Sequence, residues 1–349
     1  MKIIRTLVVD DSALMRKKLS DILNADDEIK VIDTAKTGYE AIEKVKTLKP
    51  DVITLDIEMP DVDGLTALGY IMSEVPTPVI IVSAYALYGG KNAIKALELG
   101  AVDIVSKPSG DISLDIDKVG EDLIAKVKTA AKINISKIKE IFRKKIYRTR
   151  EIKTMPHFFK KVVVIGSSTG GPNALSEILP YFPAEIPATF LIVQHMPAEF
   201  TYLMAERLNW QSKISIKEAK DGDSLYAGQA LIAPGGYHML VEKDKVTEGG
   251  GIVRINTSPP VCNVRPSANV LMDSVANIYR SNVIGVLLTG MGNDGAEGMS
   301  MIKKAGGKTI VQDKASSVVF GMPAAAIKKG IVDLIAPLSH IGIEIMKML

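Results

Sequence analysis

Two sets of side chains have types and spacings suited to chemistry, and they lie in different halves of the 349-residue chain. In the first half Asp10-Asp11 follows one apolar run, Asp56 and Ser83 close two others, and Lys107 follows a fourth. Carboxylates gathered at one place repel unless a hard cation sits among them. Mg²⁺ suits such a site, because it accepts one to three carboxylates together with water and phosphoryl oxygens. Asp56 could then act as nucleophile toward a phosphoryl donor, forming an acyl phosphate. The Lys107 ammonium and the Ser83 hydroxyl could both address the phosphoryl oxygens. A lone Asp-Asp pair would read as a solvated turn; the full set, each member at a strand's carboxyl end, does not.

In the second half Gly166-Ser167-Ser168-Thr169-Gly170-Gly171 follows the apolar run Val162–Ile165 and opens a helical pattern at Pro172. Gly166-x-Ser168-x-Gly170 fits G-x-S-x-G, the strand-turn-helix that exposes a serine hydroxyl. The amide after the serine and the helix N-terminus favour a developing oxyanion there. A bland Gly/Ser loop or a phosphate-cradling loop is the alternative, although no Lys follows Gly171 as a Walker-type loop requires. His195 closes the run Thr189–Gln194, and Asp294 lies in Leu288–Gly295 after another apolar strand. With serine, base and carboxylate on three strand ends, His195 would deprotonate Ser168 while Asp294 fixes the imidazole tautomer. The order Ser…His…Asp departs from the Ser…Asp…His of α/β-hydrolases, which disfavours that fold. Gly290-x-Gly292-x-x-Gly295 also matches a dinucleotide fingerprint, with Asp313 at about the distance of a ribose contact, but it stands late in its domain. His238, after Gly235-Gly236, reads as a structural histidine, with the cleft as its alternative setting. Cys262, His157 and His340 have no partner spacing suited to metal binding or catalysis.

The elements that must hold these residues follow from periodicity. Apolar runs at Ile3–Val9, Ile29–Thr34, Asp51–Leu55, Pro78–Val82 and Val102–Ser106 alternate with amphipathic stretches at Ser12–Asn24, Tyr39–Lys49, Leu65–Glu74 and Lys91–Leu99. This predicts a five-stranded parallel sheet covered on both faces, whose ligands gather at the carboxyl ends of its strands. The second half alternates in the same way, so both halves are α/β. Its stretch 214–255 is expected to form β-hairpins inserted in an otherwise βαβ-type, doubly wound domain. The expected domains are 1–124, a basic linker 125–160, and 161–349. Charge follows the same division: net −8 over 1–125, +11 over 126–161 and 0 over 162–349. The connector could attract nucleic acid or anionic lipid, but a solvated linker attracted to the acidic first domain is the simpler reading.

Composition removes whole classes. No apolar run approaches the roughly 18–20 residues of a membrane-spanning helix. The opening Met1–Arg5 lacks the h-region and cleavage site of a signal peptide. Cys262 is the only cysteine, so no intrachain disulfide or cysteine zinc cluster is possible, and a reducing cytoplasm is expected.

Two resemblances sharpen these readings. Val8–Ser12, Asp56-Ile57-Glu58-Met59-Pro60 with Asp63-Gly64, Val82-Ser83-Ala84 and Lys107-Pro108 resemble a response-regulator receiver domain over residues 1 to about 122. The resemblance implies a flavodoxin-like fold, Asp56 as phosphoacceptor and Mg²⁺ held by Asp10, Asp11 and Asp56. It also implies Ser83 and Lys107 as readers of the phosphoryl group, and a chemotaxis histidine kinase as phosphodonor. Many receivers carry an aromatic residue three before the lysine; this chain has Ile104.

Gly166–Pro172, Gln194-His195-Met196-Pro197, Ala233–Gly236 with His238, Arg265-Pro266-Ser267 and Leu288–Gly295 resemble the catalytic domain of CheB methylesterases over about 160–349. That resemblance implies Ser168 as nucleophile, His195 as base and Asp294 as orienter, with Thr169 and the Met291 backbone on the oxyanion side. It implies hydrolysis of glutamate γ-methyl esters and deamidation of glutamines on methyl-accepting chemotaxis receptors, with no cofactor at the esterase site. The rivals are a DNA-binding output domain and a nucleotide-binding one. A neutral 188-residue second segment without a compact helix-turn-helix pattern speaks against the former, so neither nucleic-acid partners nor membrane insertion is expected.

Overall fold

The structure is a computed structural model that describes residues 3–60, 62–83, 87–107, 113–133, 159–244 and 249–349. The chain divides into two compact units, Met1–Lys145 and Ile146–Leu349. Among the described residues no helix is long and apolar enough to cross a membrane.

In the first unit, five strand–helix repeats run β1 (Ile4–Val9), α1 (Ala13–Asn24), β2 (Ile29–Ala35), α2 (Gly38–Leu48), β3 (Val52–Leu55), α3 (Gly64–Glu74), β4 (Val79–Ser83), α4 (Leu87–Glu98), β5 (Asp103–Ser106) and α5 (Ser113–Ala130). The strands pair in parallel in the order β2-β1-β3-β4-β5. The central strands are buried on both faces, which is why they read as unbroken apolar runs rather than alternations. Strand order reverses between β1 and β3, and Val9 lies opposite Leu55 there, one residue before Asp10 and Asp56. Such a reversal opens a crevice at the carboxyl edge of the sheet. Ser12, Thr37 and Asp63 cap α1, α2 and α3 through their side-chain oxygens. Gly64 admits no side chain, because a Cβ there would overlap the Asp56 carbonyl.

The expected boundary at 124/125 falls inside α5. Leu123, Val127 and Ala130 continue one buried helical stripe at i, i+4 and i+7, and Lys126 is buried with its ammonium 2.7 Å from the Ile104 carbonyl. The first residues of the basic linker therefore belong to the first unit's last helix. Linker residues 134–158, including His157, lie outside the described residues.

The second unit runs β6 (Lys161–Ser167), α6 (Gly171–Ile178), a 3₁₀ turn Leu179–Tyr181, β7 (Ala188–Gln194), α7 (Ala198–Gln211), β8 (Ser215–Glu218), β9 (Gln229–Ile232), β10 (His238–Lys243), β11 (Gly251–Asn256), α8 (Ala268–Tyr279), a 3₁₀ turn Arg280–Asn282, β12 (Val283–Leu287), α9 (Ala296–Lys304), β13 (Lys308–Gln312), α10 (Met322–Lys328), β14 (Leu334–Ala336) and α11 (Leu338–Lys347). Seven of these strands form a parallel sheet in the order β14-β13-β12-β6-β7-β9-β8. The three central neighbours, β12, β6 and β7, end at the segments that carry Asp294, Ser168 and His195. One hydrophobic cluster, including Val162, Val164, Leu191, Val193, Leu271, Met272, Val275 and Leu287, fills the space between this sheet and α8.

The stretch 214–255 differs from the expectation of inserted hairpins. β8 and β9 join the main sheet in parallel, and only β10 and β11 form an antiparallel hairpin. The Asp221-Gly222-Asp223 turn between β8 and β9 pairs with β11, through Gly222 N–H to the Val253 carbonyl and Val253 N–H to the Asp223 carbonyl.

Candidate active site

Ser167 and Ser168 meet different environments at the end of β6. Ser167 is fully buried and its hydroxyl donates to Gln194 Oε1 at 2.7 Å, whereas Ser168 is half-buried. The carboxamide of Gln194 donates from Nε2 to the carbonyls of both Ser168 and His195, at 2.9 and 3.0 Å. His195 N–H in turn donates to the Ser167 carbonyl at 3.0 Å, and Ser168 N–H to the Thr289 carbonyl at 3.1 Å. The three strand ends are thus tied together by backbone bonds around Ser168. A Cβ on Gly171 would overlap Gln194 Oε1, so glycine there keeps the clamp in place.

His195 Nε2 lies 2.8 Å from Asp294 Oδ2. That pairing engages one of the two ring nitrogens of His195. Asp294 is 2% exposed, yet its carboxylate is fully engaged: Oδ1 accepts from Ser267 Oγ at 2.6 Å and Asn269 N at 3.2 Å, and Oδ2 accepts from Ala268 N at 2.6 Å as well as from His195. Burial alone would push this carboxyl up. The hydrogen bonds from His195, Ser267 and Ala268, at the positive end of α8, outweigh burial and hold it below the ordinary aspartate value.

The residues expected on the oxyanion side, Thr169 and Met291, belong to the loops that follow β6 and β12. Thr169 is buried, and its carbonyl accepts from Thr289 Oγ1 at 2.9 Å; Met291 is exposed. Thr289 also receives Val319 N–H at 2.9 Å and donates its own amide to Gln312 Oε1 at 2.7 Å, which locks the loop carrying Met291 and Asp294 to the neighbouring segment. Gln194, Ser267, Thr289 and Gln312 are supporting residues that sequence reasoning did not single out. Gln194 did offer a signal: it is a buried polar residue closing a largely apolar strand.

In the first unit Asp10, Asp11 and Asp56 present carboxylate oxygens within 4.8 Å of one another. Lys107 Nζ lies 2.8 Å from Asp10 Oδ2 and 2.7 Å from Asp56 Oδ2. Asp10 Oδ1 accepts the Ser12 amide at 2.9 Å, whereas among the described residues its buried Oδ2 meets only the Lys107 ammonium. Burial pushes the Asp56 carboxyl up; Lys107 pulls it down without fully offsetting burial, and the charge of Asp10 adds to the rise. The buried Asp10 and Asp56, which share the Lys107 ammonium, and the exposed Asp11 together fit a hard divalent cation. Ser83 is buried at the end of β4, with its carbonyl accepting Lys107 N–H at 2.8 Å. Ile104 is fully buried within β5.

Other candidates are placed elsewhere. His238 is buried, its Nδ1 accepting Ser267 N–H at 3.2 Å and its Nε2 facing the Pro259 carbonyl at 3.1 Å. Asp313 commits its Oδ1 to Ser316 N and Oγ at 2.8 and 2.7 Å, a local turn rather than an open ribose contact. Cys262 is exposed; burial of its thiol and the charges of Asp294 and Glu297 push its pKa up, away from a reactive thiolate. His340 Nδ1 meets its neighbour Ser339 at 3.2 Å.

The geometry defines a class: a receiver domain joined to an esterase domain. Family models agree, with the response regulator receiver domain matching residues 6–115 and the CheB methylesterase domain matching residues 163–345. The chain belongs to the CheB methylesterase family. A protein-glutamate methylesterase/protein-glutamine glutaminase of Archaeoglobus fulgidus is 47% identical over 348 residues, covering 99% of this chain and 98% of that protein. One of the same name from Pyrococcus horikoshii is 45% identical over 346 residues, covering 99% and 93%. The crystal structure of the Thermotoga maritima CheB methylesterase catalytic domain is 41% identical, with a TM-score of 0.53, covering 54% of this chain and 98% of that one.

Proposed function

We propose that this protein is a phosphorylation-activated serine hydrolase of the cytoplasm. It cleaves glutamate γ-methyl esters on methyl-accepting chemotaxis receptors, releasing methanol, and deamidates receptor glutamines. One observation carries the reading: Ser168, His195 and Asp294 leave three adjacent strand ends, with His195 Nε2 held 2.8 Å from a carboxylate that three further donors fix in place.

Asp294 holds the tautomer in which Nε2 carries hydrogen, so Nδ1 presents its lone pair to the Ser168 hydroxyl. Ser168 Oγ attacks the ester carbonyl carbon as its proton passes to Nδ1. The tetrahedral oxyanion forms against the Thr169 amide and the Met291 backbone. Collapse breaks the C–O bond to methoxide, which leaves as methanol with the proton from His195, and Ser168 holds the glutamyl group as an ester. Water then attacks, giving one proton to Nδ1, and Ser168 departs with that proton, leaving a glutamate carboxyl group that ionises by releasing its remaining proton to solvent. With glutamine the leaving group is ammonia and the steps are otherwise the same.

In the receiver, Asp56 accepts a phosphoryl group from a chemotaxis histidine kinase. Asp10, Asp11 and Asp56 would hold Mg²⁺, which when bound neutralises carboxylate and phosphoryl charge. Lys107 and Ser83 turn to the phosphoryl oxygens, and the loops around Asp56 shift between two arrangements. Methanol release from methylated receptor membranes tests the hydrolase reading. Ser168→Ala should lower it by about a thousandfold or more, and undiminished release would refute the assignment.

A further inference from the structure

Ser267 stands at the N-cap position of α8, with extended backbone (φ −118°, ψ 132°), yet its side chain accepts no hydrogen bond from the helix. Serine at this position ordinarily accepts an amide N–H of the first turn. Here the amides of the first turn are taken by Asp294, which receives Ala268 N–H at 2.6 Å and Asn269 N–H at 3.2 Å. The Ser267 hydroxyl is turned the other way and donates to Asp294 Oδ1 at 2.6 Å, in a fully buried setting. Its backbone is held from behind by His238, whose Nδ1 accepts Ser267 N–H at 3.2 Å. A capping serine has been released from capping and aimed at the carboxylate that orients the catalytic base.

We infer that Ser267 is a fourth, positioning member of the Ser168–His195–Asp294 set, acting on the hydrolysis through Asp294. A charge-assisted bond in a buried site disperses the carboxylate charge and fixes its plane. Without the hydroxyl, Asp294 keeps its two amide donors but carries a more concentrated charge and a looser plane. The imidazole then bonds more tightly to the carboxylate and yields its ring geometry at Ser168. The other titratable groups around Asp294 are His195 itself, His238 behind Ser267, and Cys262 and Glu297 beyond Asn269. Among the described residues only His195 is an ionisable donor to this carboxylate.

The inference rests on the proposed hydrolase reading and is separable from it. In full-length protein, Ser267→Ala should lower kcat on methylated receptor by roughly tenfold with KM little changed, and should move the acid limb of kcat/KM to higher pH. Because Asp294 rather than Ser267 caps α8, the helix should stay intact and Tm should fall only by the few degrees expected for one lost buried hydrogen bond. Ser267→Thr should restore most of kcat. The proton on His195 Nε2, observed by NMR, should move downfield in Ser267→Ala, a readout that needs no turnover. A wild-type protein without esterase activity would overturn the hydrolase reading, and the NMR signal would still decide the Ser267 contact. A Ser267→Ala protein with wild-type kcat, or one whose loss only tracks a fall in Tm with the acid limb and the proton signal unmoved, would overturn the inference.

Discussion

Asp56 and Asp294 are both 2% exposed carboxylates at the carboxyl edge of a parallel sheet, and they are held in opposite ways. Among the described residues Asp56 has one strong donor, Lys107, which it shares with Asp10, and a long contact of 3.4 Å from the Glu58 amide. Asp294 has four donors between 2.6 and 3.2 Å. The consequence is opposite signs: burial raises the Asp56 carboxyl, whereas hydrogen bonds lower that of Asp294 despite burial. An under-satisfied site responds to whatever completes it, which suits a switch. A saturated site is complete before substrate arrives, which suits a catalyst. The same fold class thus builds a sensor and a tool from one residue type, and the difference lies in how many donors surround it.

The largest effects should come from dismantling the saturated site. Ser168→Ala and His195→Ala should each remove about three orders of magnitude or more from kcat, and the double variant should lose little further, since the pair acts as one unit. Rate losses that add on a logarithmic scale would argue against a shared mechanism.

Asp294→Asn should reduce kcat by two to four orders of magnitude, about the range expected when the orienting carboxylate is lost. It should also destabilise by about 2 kcal/mol, because an amide nitrogen would face donors. The linkage has a definite sign. A depressed folded pKa contributes stability that is present above the unfolded value and lost as pH falls through the folded one. The Tm deficit of Asp294→Asn should therefore shrink on acidification below about pH 4.

Asp56 should behave in reverse. Its folded pKa is raised, so the ionised form weakens the fold at neutral pH, and that cost disappears as pH falls through the raised value. In metal-free buffer Asp56→Asn should therefore be more stable than wild type at neutral pH, with the gap closing on acidification. Adding Mg²⁺ should reverse the ranking by stabilising wild type about 2.7 kcal/mol at a hundredfold excess over Kd. Thermal melts with EDTA and with Mg²⁺ check both; a Mg²⁺ response unchanged in Asp56→Asn would remove Asp56 from the cation site.

The smallest effect should come from Ser167→Ala. Its hydroxyl supports Gln194 rather than substrate, so Tm should drop by a few degrees, for roughly 1 kcal/mol, while kcat stays within about threefold of wild type.

Much of this was legible in the sequence because the central strands are apolar throughout and end at residues of unmistakable chemistry. Asp10, Asp56 and Lys107, and likewise Ser168, His195 and Asp294, could be placed at strand ends from periodicity alone. The partners of Asp294 could not. Ser267 lies 27 residues away in sequence and resembles any helix cap, so only the direction of its hydroxyl reveals what it does. The parallel pairing of β8 with β9 was hidden for a related reason. The turn between them has hairpin residues, and its hydrogen bonds go to β11, a choice made by tertiary packing. The helix α5 runs past the expected domain boundary at 124/125 because Lys126 is held within the first unit, its ammonium 3.1 Å from Asp122 and 3.4 Å from Asp103.

Coupling of a responsive receiver to a preformed esterase is read out by methanol release from methylated receptors by full-length protein, with and without a small-molecule phosphodonor and Mg²⁺. The phosphodonor should raise the wild-type rate, Asp56→Ala should hydrolyse at the basal rate without any rise, and Ser168→Ala should release almost nothing in either condition. An equal rise in Asp56→Ala, or no difference between wild type with and without the phosphodonor, would contradict that coupling.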